Sequence, residues 1–245
     1  MTNAPIALVT GANKGLGLAT VRLLAERGMT VLLGSRDPAN GADAVRTLRR
    51  EGLTAHFVVI DVTDDVSVDQ AARQIDREHG YLDVLVNNAG VLIRRPALTV
   101  TADDMRLEFE TNVLGMVRVV HAMLPLLRRA TAPRIVNVSS DSASFAYTAE
   151  PDSMFGGSHE SFVYSATKAA VNMLTLKYAH AFRADRTLDH VKINAVTPGY
   201  TATDLNGFRG MKTPEEGAAA TVHWATVGDD EASGGFFDET GRVPW

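Results

Sequence analysis

Six short runs of apolar and β-branched residues, each leading into a longer amphipathic stretch, leave this chain few folds to choose from. They are IALVT (6–10), TVLLG (30–34), AHFVVI (55–60), LDVLVN (82–87), RIVNVSS (134–140) and VKINAV (191–196). The runs are almost wholly apolar instead of alternating, which suits central strands covered on both faces. Strands that alternate with helices in this way pair in parallel, so the expectation is an α/β fold: a doubly wound parallel sheet with helices on both faces. The chain has 245 residues, 45% of them hydrophobic, enough for one substantial core. Residues 1–245 therefore read as a single domain.

Two stretches break the rhythm, residues 141–160 and 201–214, both rich in Gly, Ser, Asp and Thr. Each follows a strand, and in open α/β sheets ligands bind beyond the strands' C-terminal ends. The first is read as an insertion and the second as a substrate loop, with plain surface loops as the blander alternative. Phe145, Tyr147, Met154, Phe155, Phe162, Tyr200 and Phe208 lie in or beside them. Either they greet a largely apolar substrate or they pack the loops down.

After the first run comes Thr10-Gly11-Ala12-Asn13-Lys14-Gly15-Leu16-Gly17 and then a helical pattern. Glycines in such a turn allow positive φ and let backbone amides approach a pyrophosphate at a helix start. Gly11, Asn13, Lys14, Gly15, Leu16 and Gly17 are thus candidate cofactor contacts. The spacing is GxxxGxG, not the GxGxxG of the commoner dinucleotide fingerprint. The second run ends in Gly34-Ser35-Arg36-Asp37. An NAD site usually places an acid there for the ribose hydroxyls, whereas Ser35 followed by Arg36 suits a 2′-phosphate, with Lys14 as a second cation. The cofactor reads as NADP(H), and Asp37 is the one nearby acid that opposes Arg36.

With TGANKGLG (10–17) stand five further motifs in order: Asp61-Val62, NNAG (87–90), Asn112 in TNVLG, Ser139-Ser140 with Tyr164-Ser165-Ala166-Thr167-Lys168, and Pro198-Gly199. The whole set resembles the short-chain dehydrogenase/reductase family. TGANKGLGLATV, SRDPANG and the ending EEGAAATVHWA…GGFFDETGRVPW are most similar to its carbonyl reductase branch, which also carries an insertion between the serine and the tyrosine. The resemblance implies a Rossmann-type sheet and an NADP-dependent oxidoreductase acting on CH–OH and carbonyl groups. It implies adenine contacts at Asp61 and Val62, and cofactor contacts at Asn88, Ala89 and Gly90. It also implies that Asn112 holds a water linking the lysine to solvent and bends its helix locally.

Tyr164 and Lys168 are four apart in a helical pattern, so they share a face about 6 Å apart. A free phenol titrates near 10, and a nearby ammonium together with the oxidised nicotinamide is expected to lower it. Tyr164 then serves as general acid for carbonyl reduction and base for alcohol oxidation. Ser140 is expected to donate a hydrogen bond to the carbonyl oxygen, while Ser139, its neighbour on the strand, points the other way. Asn112, Ser140, Tyr164 and Lys168 are the catalytic candidates, and Tyr164 and Lys168 count among the cofactor contacts as well. Beyond the sixth run, Pro198 and Gly199 turn the chain past the nicotinamide, and Thr201 and Thr203 join the cofactor site, Thr203 at the carboxamide.

The function that follows is NADPH-dependent transfer of hydride to a ketone, aldehyde or quinone-like molecule. The alternative is a non-catalytic NADP(H)-binding sensor on the same fold. An NAD-linked dehydrogenase or epimerase is disfavoured by Ser35-Arg36. Arg94-Arg95 reads first as a solvated pair and His159 as an exposed loop residue. The net charge of −5 is spread without a basic tract, which argues against nucleic acid. No window approaches the ~18 apolar residues of a membrane span, and the N-terminus lacks the pattern of a secretion signal. Zero cysteines and seven histidines without metal-ligand spacing argue against a metal. The expectations are a cytoplasmic enzyme with a small-molecule substrate, and a monomer, with dimer or tetramer as alternatives, because the insertion is taken to cover the helices through which such chains associate.

Overall fold

The computed structural model describes residues 4–245. Its strands and helices run, in chain order, β1 (Ile6–Val9), α1 (Gly15–Glu26), β2 (Thr30–Ser35), α2 (Pro38–Arg50), β3 (Ala55–Val59), α3 (Asp65–Glu78), β4 (Val84–Asn87) and α4 (Ala102–Phe109). There follow α5 (Gly115–Leu127), β5 (Arg134–Val138), α6 (Phe145–Ala149), α7 (Phe162–Ala184), β6 (Lys192–Val196), α8 (Pro214–Ala225) and β7 (Phe236–Phe237). The strands form one parallel sheet in the order β3-β2-β1-β4-β5-β6-β7.

The uninterrupted apolar runs have a direct physical reason. Successive side chains of a strand point to opposite faces, and here both faces are covered. Leu8, Leu32, Leu85, Ile135 and Ile193 pack under α3, α5 and α7. Their neighbours Ala7, Val9, Leu33, Val86 and Val136 pack under α1, α2 and α8. A polar residue at any of these positions would lie in one core or the other. Among the described residues no helix is long and apolar enough to cross a membrane.

All six expected strands form, with ends displaced by a residue or two, and the doubly wound expectation holds. A seventh strand, β7, was not foreseen. It is two residues long, extends the sheet beside β6, and divides its two aromatics between the faces. Phe237 stacks on Trp224 of α8 at 3.8 Å, and Phe236 lies against Trp245 at 5.7 Å. Strand order reverses between β1 and β4, and the crevice at such a switch point is where doubly wound sheets bind ligands.

Candidate active site

Above the C-terminal ends of β1, β4, β5 and β6 lies a cleft of about 830 Å³, within the ~300–1,000 Å³ span of ligand sites. Its floor begins at the glycine turn. Gly11 has φ 61°, and a side chain there would put a Cβ 2.8 Å from the Ala89 backbone. Gly17 is held by close approach: a Cβ would come within 2.5 Å of the Asn88 amide and 2.7 Å of the Gly11 carbonyl. That amide stitches the turn to the segment after β4, donating to the carbonyls of Thr10 (2.9 Å) and Gly11 (3.0 Å). In return the Thr10 hydroxyl accepts from the backbone of Asn88 and Ala89, both at 3.1 Å.

The turn delivers α1 to the cleft with its first N–H groups uncapped. Lys14, at the cap position, makes no side-chain cap bond, and no acid occupies the first turn. By contrast α2, α3, α4 and α8 are capped by Asp37, Asp64, Thr101 and Thr213. An uncapped helix start facing a cleft of this size fits a pyrophosphate. At the far end of β2, Arg36 is exposed and lines the cleft. Asp37, its apparent opponent, is committed to capping α2 by accepting from the amides of Ala39 and Asn40. Asp61 accepts from the amide and hydroxyl of Thr63. Burial works against its charge, yet those bonds and the fields of Arg36 and Arg118 hold its carboxyl below the usual range. The residues present therefore fit an NADP(H)-type dinucleotide. Arg36 and Lys14 would meet the 2′-phosphate, although Lys14 already pairs with Asp204 at 3.2 Å.

At the other end of the cleft α7 brings up Tyr164 and Lys168. The ammonium lies 5.5 Å from the centroid of the tyrosine ring and donates to the Val138 carbonyl at the end of β5 (2.7 Å). Lys168 is only 4% exposed. Burial pushes its pKa down to about 8, opposed by the field of Glu108. For Tyr164 the sequence expectation rests partly on the oxidised nicotinamide, which the chain itself does not supply. The protein's own groups push its phenol up, burial first and then the carboxylates of Glu108 and Asp141. Any lowering has to come from elsewhere.

The two serines after β5 part company. The Ser139 hydroxyl is buried and donates to the Lys168 carbonyl at 3.3 Å. The Ser140 hydroxyl, at the cleft, caps a short 3-10 turn (Asp141–Ala143), lying 3.0 Å from the Ser142 hydroxyl and accepting from its amide.

Of the catalytic and cofactor candidates, the cleft is lined by Gly11, Asn13, Lys14, Gly15, Leu16, Gly17, Arg36, Asp61, Val62, Asn88, Ala89, Gly90, Ser140, Tyr164, Lys168, Pro198, Gly199, Thr201 and Thr203. Two are not on its surface. Ser35 is 2% exposed and its hydroxyl is turned back on Asp37. Asn112 is equally buried, one layer behind, in a π-helical turn (Glu110–Leu114) that interrupts the helix between α4 and α5. Its side chain accepts from the Val91 amide (2.8 Å) and donates to the Val91 carbonyl (2.9 Å) and the Thr167 hydroxyl (3.0 Å). A polar recess of about 10 Å³, roughly one water in size, lies among Asn87, Thr111, Asn112, Asn137 and Lys168. The side-chain oxygen of Asn87 has no hydrogen-bond partner.

The aromatic and apolar residues of the two interrupting stretches divide. Met154, Phe155 and Tyr200 line the cleft. Tyr147 packs beside Phe236 and Trp245, while Phe145, Phe162 and Phe208 face outward. Arg94 also lines the cleft, whereas Arg95 pairs with Asp104. The sequence reading missed Glu108 and Asp141. Counting back one helical turn from Asn112 finds the first, and the residue after Ser140 is the second.

A family model described as short chain dehydrogenase matches residues 5–213. Carbonyl reductase [NADPH] 1 of Sus scrofa is 32% identical, the match covering all of this chain and 95% of the pig protein. Short-chain dehydrogenase/reductase 1 of Saponaria officinalis is also 32% identical, over 98% of this chain and 95% of that one. Among solved structures, NADPH-bound carbonyl reductase from chicken fatty liver superposes with a TM-score of 0.85 at 26% identity over the whole of both chains. A gluconate 5-dehydrogenase from Burkholderia cenocepacia, in complex with NADP and tartrate, gives 0.82 at 26% identity over 97% and 94%. Sheet order, glycine turn and these matches agree: the chain belongs to the short-chain dehydrogenase/reductase family and is carbonyl reductase-like.

Proposed function

We propose that the protein is an NADPH-dependent carbonyl reductase that reduces a small ketone, aldehyde or quinone-like molecule and, in reverse, oxidises the alcohol. The observation that carries this reading is one cleft with an uncapped helix start and Arg36 at one end and Tyr164, Lys168 and Ser140 at the other. The names of the similar carbonyl reductases support the same cofactor.

The reduced nicotinamide supplies the hydride when bound; the chain supplies the rest. Tyr164 donates its proton to the carbonyl oxygen as hydride reaches the carbon, and Ser140 donates a hydrogen bond to that oxygen as it gains charge. A phenol that the protein itself holds protonated is a loaded acid. Lys168, beside it, carries the positive charge that eases loss of the proton, and the recess at Asn112 fits the water through which it would be replaced. Asn112 holds the Val91 wall and Thr167 in place. Arg36 and Lys14 select the phosphorylated cofactor, with Asp61 and Val62 at the adenine. We assign residues 141–160 to an insertion and 201–214 to a loop that together wall the substrate, and place the enzyme in the cytoplasm as a monomer.

The test is NADPH oxidation against a panel of aromatic ketones, quinones and aldehydes, with Tyr164→Phe beside the natural chain. A positioned general acid contributes about 10²–10⁴-fold. The variant should lose that much while its NADPH affinity, read by fluorescence, is unchanged. Retention of most activity by Tyr164→Phe overturns the assignment.

A further inference from the structure

Glu108 is out of character. Glutamate on a helix normally faces water, yet this side chain, in the last turn of α4, is 0% exposed and is the one carboxyl group so enclosed among the described residues. One of its oxygens accepts the amide of Ile93; the other has no hydrogen-bond partner. It lies four residues before Asn112, and the two side chains grip alternate amides of one cleft wall, Val91 by Asn112 and Ile93 by Glu108. Across that wall the catalytic helix is close. A Cβ on Gly90 would lie 3.4 Å from the Asn112 oxygen and 3.6 Å from the Lys168 nitrogen.

We propose that Glu108 is a positioning residue of the reaction, whose buried carboxylate acts from behind the 90–93 wall to hold the Tyr164–Lys168 pair in its proton-loaded form. The proposal rests on the roles given above to Tyr164 and Lys168. The charges around the pair are few. Lys168 feels Glu108; Tyr164 feels Glu108 and Asp141; Glu108 itself feels Lys168 and, on its own helix, Asp104, which is paired with Arg95. Burial disfavours the ammonium form of Lys168, and Glu108 opposes that. It acts in the same sense on Tyr164, so the sign does not depend on which of the two titrates first. Burial raises the pKa of Glu108, and the Ile93 amide and Lys168 oppose that rise.

Two substitutions separate charge from packing. Glu108→Gln keeps an acceptor for the Ile93 amide and removes the charge. Glu108→Asp keeps the charge and withdraws it from Ile93. In the pH profile of kcat for carbonyl reduction, the alkaline limb marks proton loss from the pair. Glu108→Gln should move that limb to lower pH by about one unit, with NADPH affinity unchanged. Glu108→Asp should leave the limb in place while lowering kcat. An unmoved limb in a folded Glu108→Gln overturns the proposal and leaves a purely structural acceptor. If Glu108→Gln does not fold, a limb displaced in Glu108→Asp overturns it equally. Neither result touches the Tyr164 assignment, which Tyr164→Phe tests by itself.

Discussion

The ammonium of Lys168 is held where charge is disfavoured, and this has a measurable consequence for stability. Burial depresses its pKa from 10.5 to about 8. Below the folded value both states carry the proton and the full cost of the buried charge is present. Between about 8 and 10.5 only the unfolded chain holds the proton, so stability rises with pH through that window. Replacing the lysine with an apolar residue of similar length should remove the cost. Lys168→Met is expected to be inactive yet more stable at pH 7 by roughly 1–3 kcal/mol, and the difference should shrink above pH 8. Thermal unfolding across pH 6–10 reads this directly, and a variant less stable than the natural chain at pH 7 refutes it.

Arg36 carries a second prediction at the same scale. It is exposed at the cleft, and the acid beside it is occupied as a helix cap. Arg36→Asp should cost NADPH about 1.5–3 kcal/mol, roughly 10- to 100-fold in kcat/KM, and leave NADH the better substrate. An unchanged preference would move selection to Lys14. The side chains that announced themselves in the sequence are those whose chemistry depends on local spacing, as in Tyr164 and Lys168 or Gly11 and Gly17. Glu108 and Asp141 were silent because a carboxylate is read as solvated until a third dimension encloses it. Ser35 gave no such signal either: its hydroxyl is bonded within its own turn, which no motif records.

Among elements, the six strands of four to six residues were legible because strands covered on both faces are apolar at most positions, Asn137 in β5 and Asn194 in β6 being buried exceptions. β7 was not, since two phenylalanines are too short a run to carry a period. Yet this edge matters to the site. Trp245 lies on Phe236, its carbonyl accepts from the Ala146 amide, and the Pro244 carbonyl accepts from the Ser144 hydroxyl (2.8 Å). These contacts fasten α6. From α6 the Tyr147 carbonyl takes the Ser153 hydroxyl, and Ser153 in turn accepts from Phe155 and Gly156. The chain of contacts ends at Met154 and Phe155 in the cleft wall. Loosening its origin should loosen its end. Trp245→Ala is expected to raise KM for an apolar ketone about tenfold, ~1.4 kcal/mol, with kcat and NADPH affinity little changed, and Trp245→Phe should restore it. A fall in kcat at constant KM would show that the insertion shapes the reaction instead of the binding.

For the molecule as a whole the open question is whether it works alone, and here the structure alters the reason for expecting a monomer. Residues 141–143 pack on α7, but the 141–160 stretch leaves the apolar side chains farther along that face uncovered. Its end joins the 95–97 segment, through the Ala97 amide to the His159 carbonyl and the pairing of Arg95 with Ser161, and its middle lines the cleft. Leu107 on α4, Leu114 in the π turn and Met173 on α7 consequently stay 62%, 48% and 56% exposed. A stable interface needs about 800 Å² per partner around a desolvated apolar centre. On this surface Leu114 lies one turn from both Glu110 and Arg118, which pairs with Glu110 and Asp65, and Leu107 is flanked by Arg106 paired with Asp103. Burying those ion pairs would oppose association more than three scattered apolar side chains favour it. Light scattering at micromolar concentration should therefore give a mass near the 26.3 kDa of one chain, and Met173→Glu should leave both mass and stability unchanged. A tetramer that Met173→Glu dissolves would reverse the conclusion and make the α4–α7 face the interface.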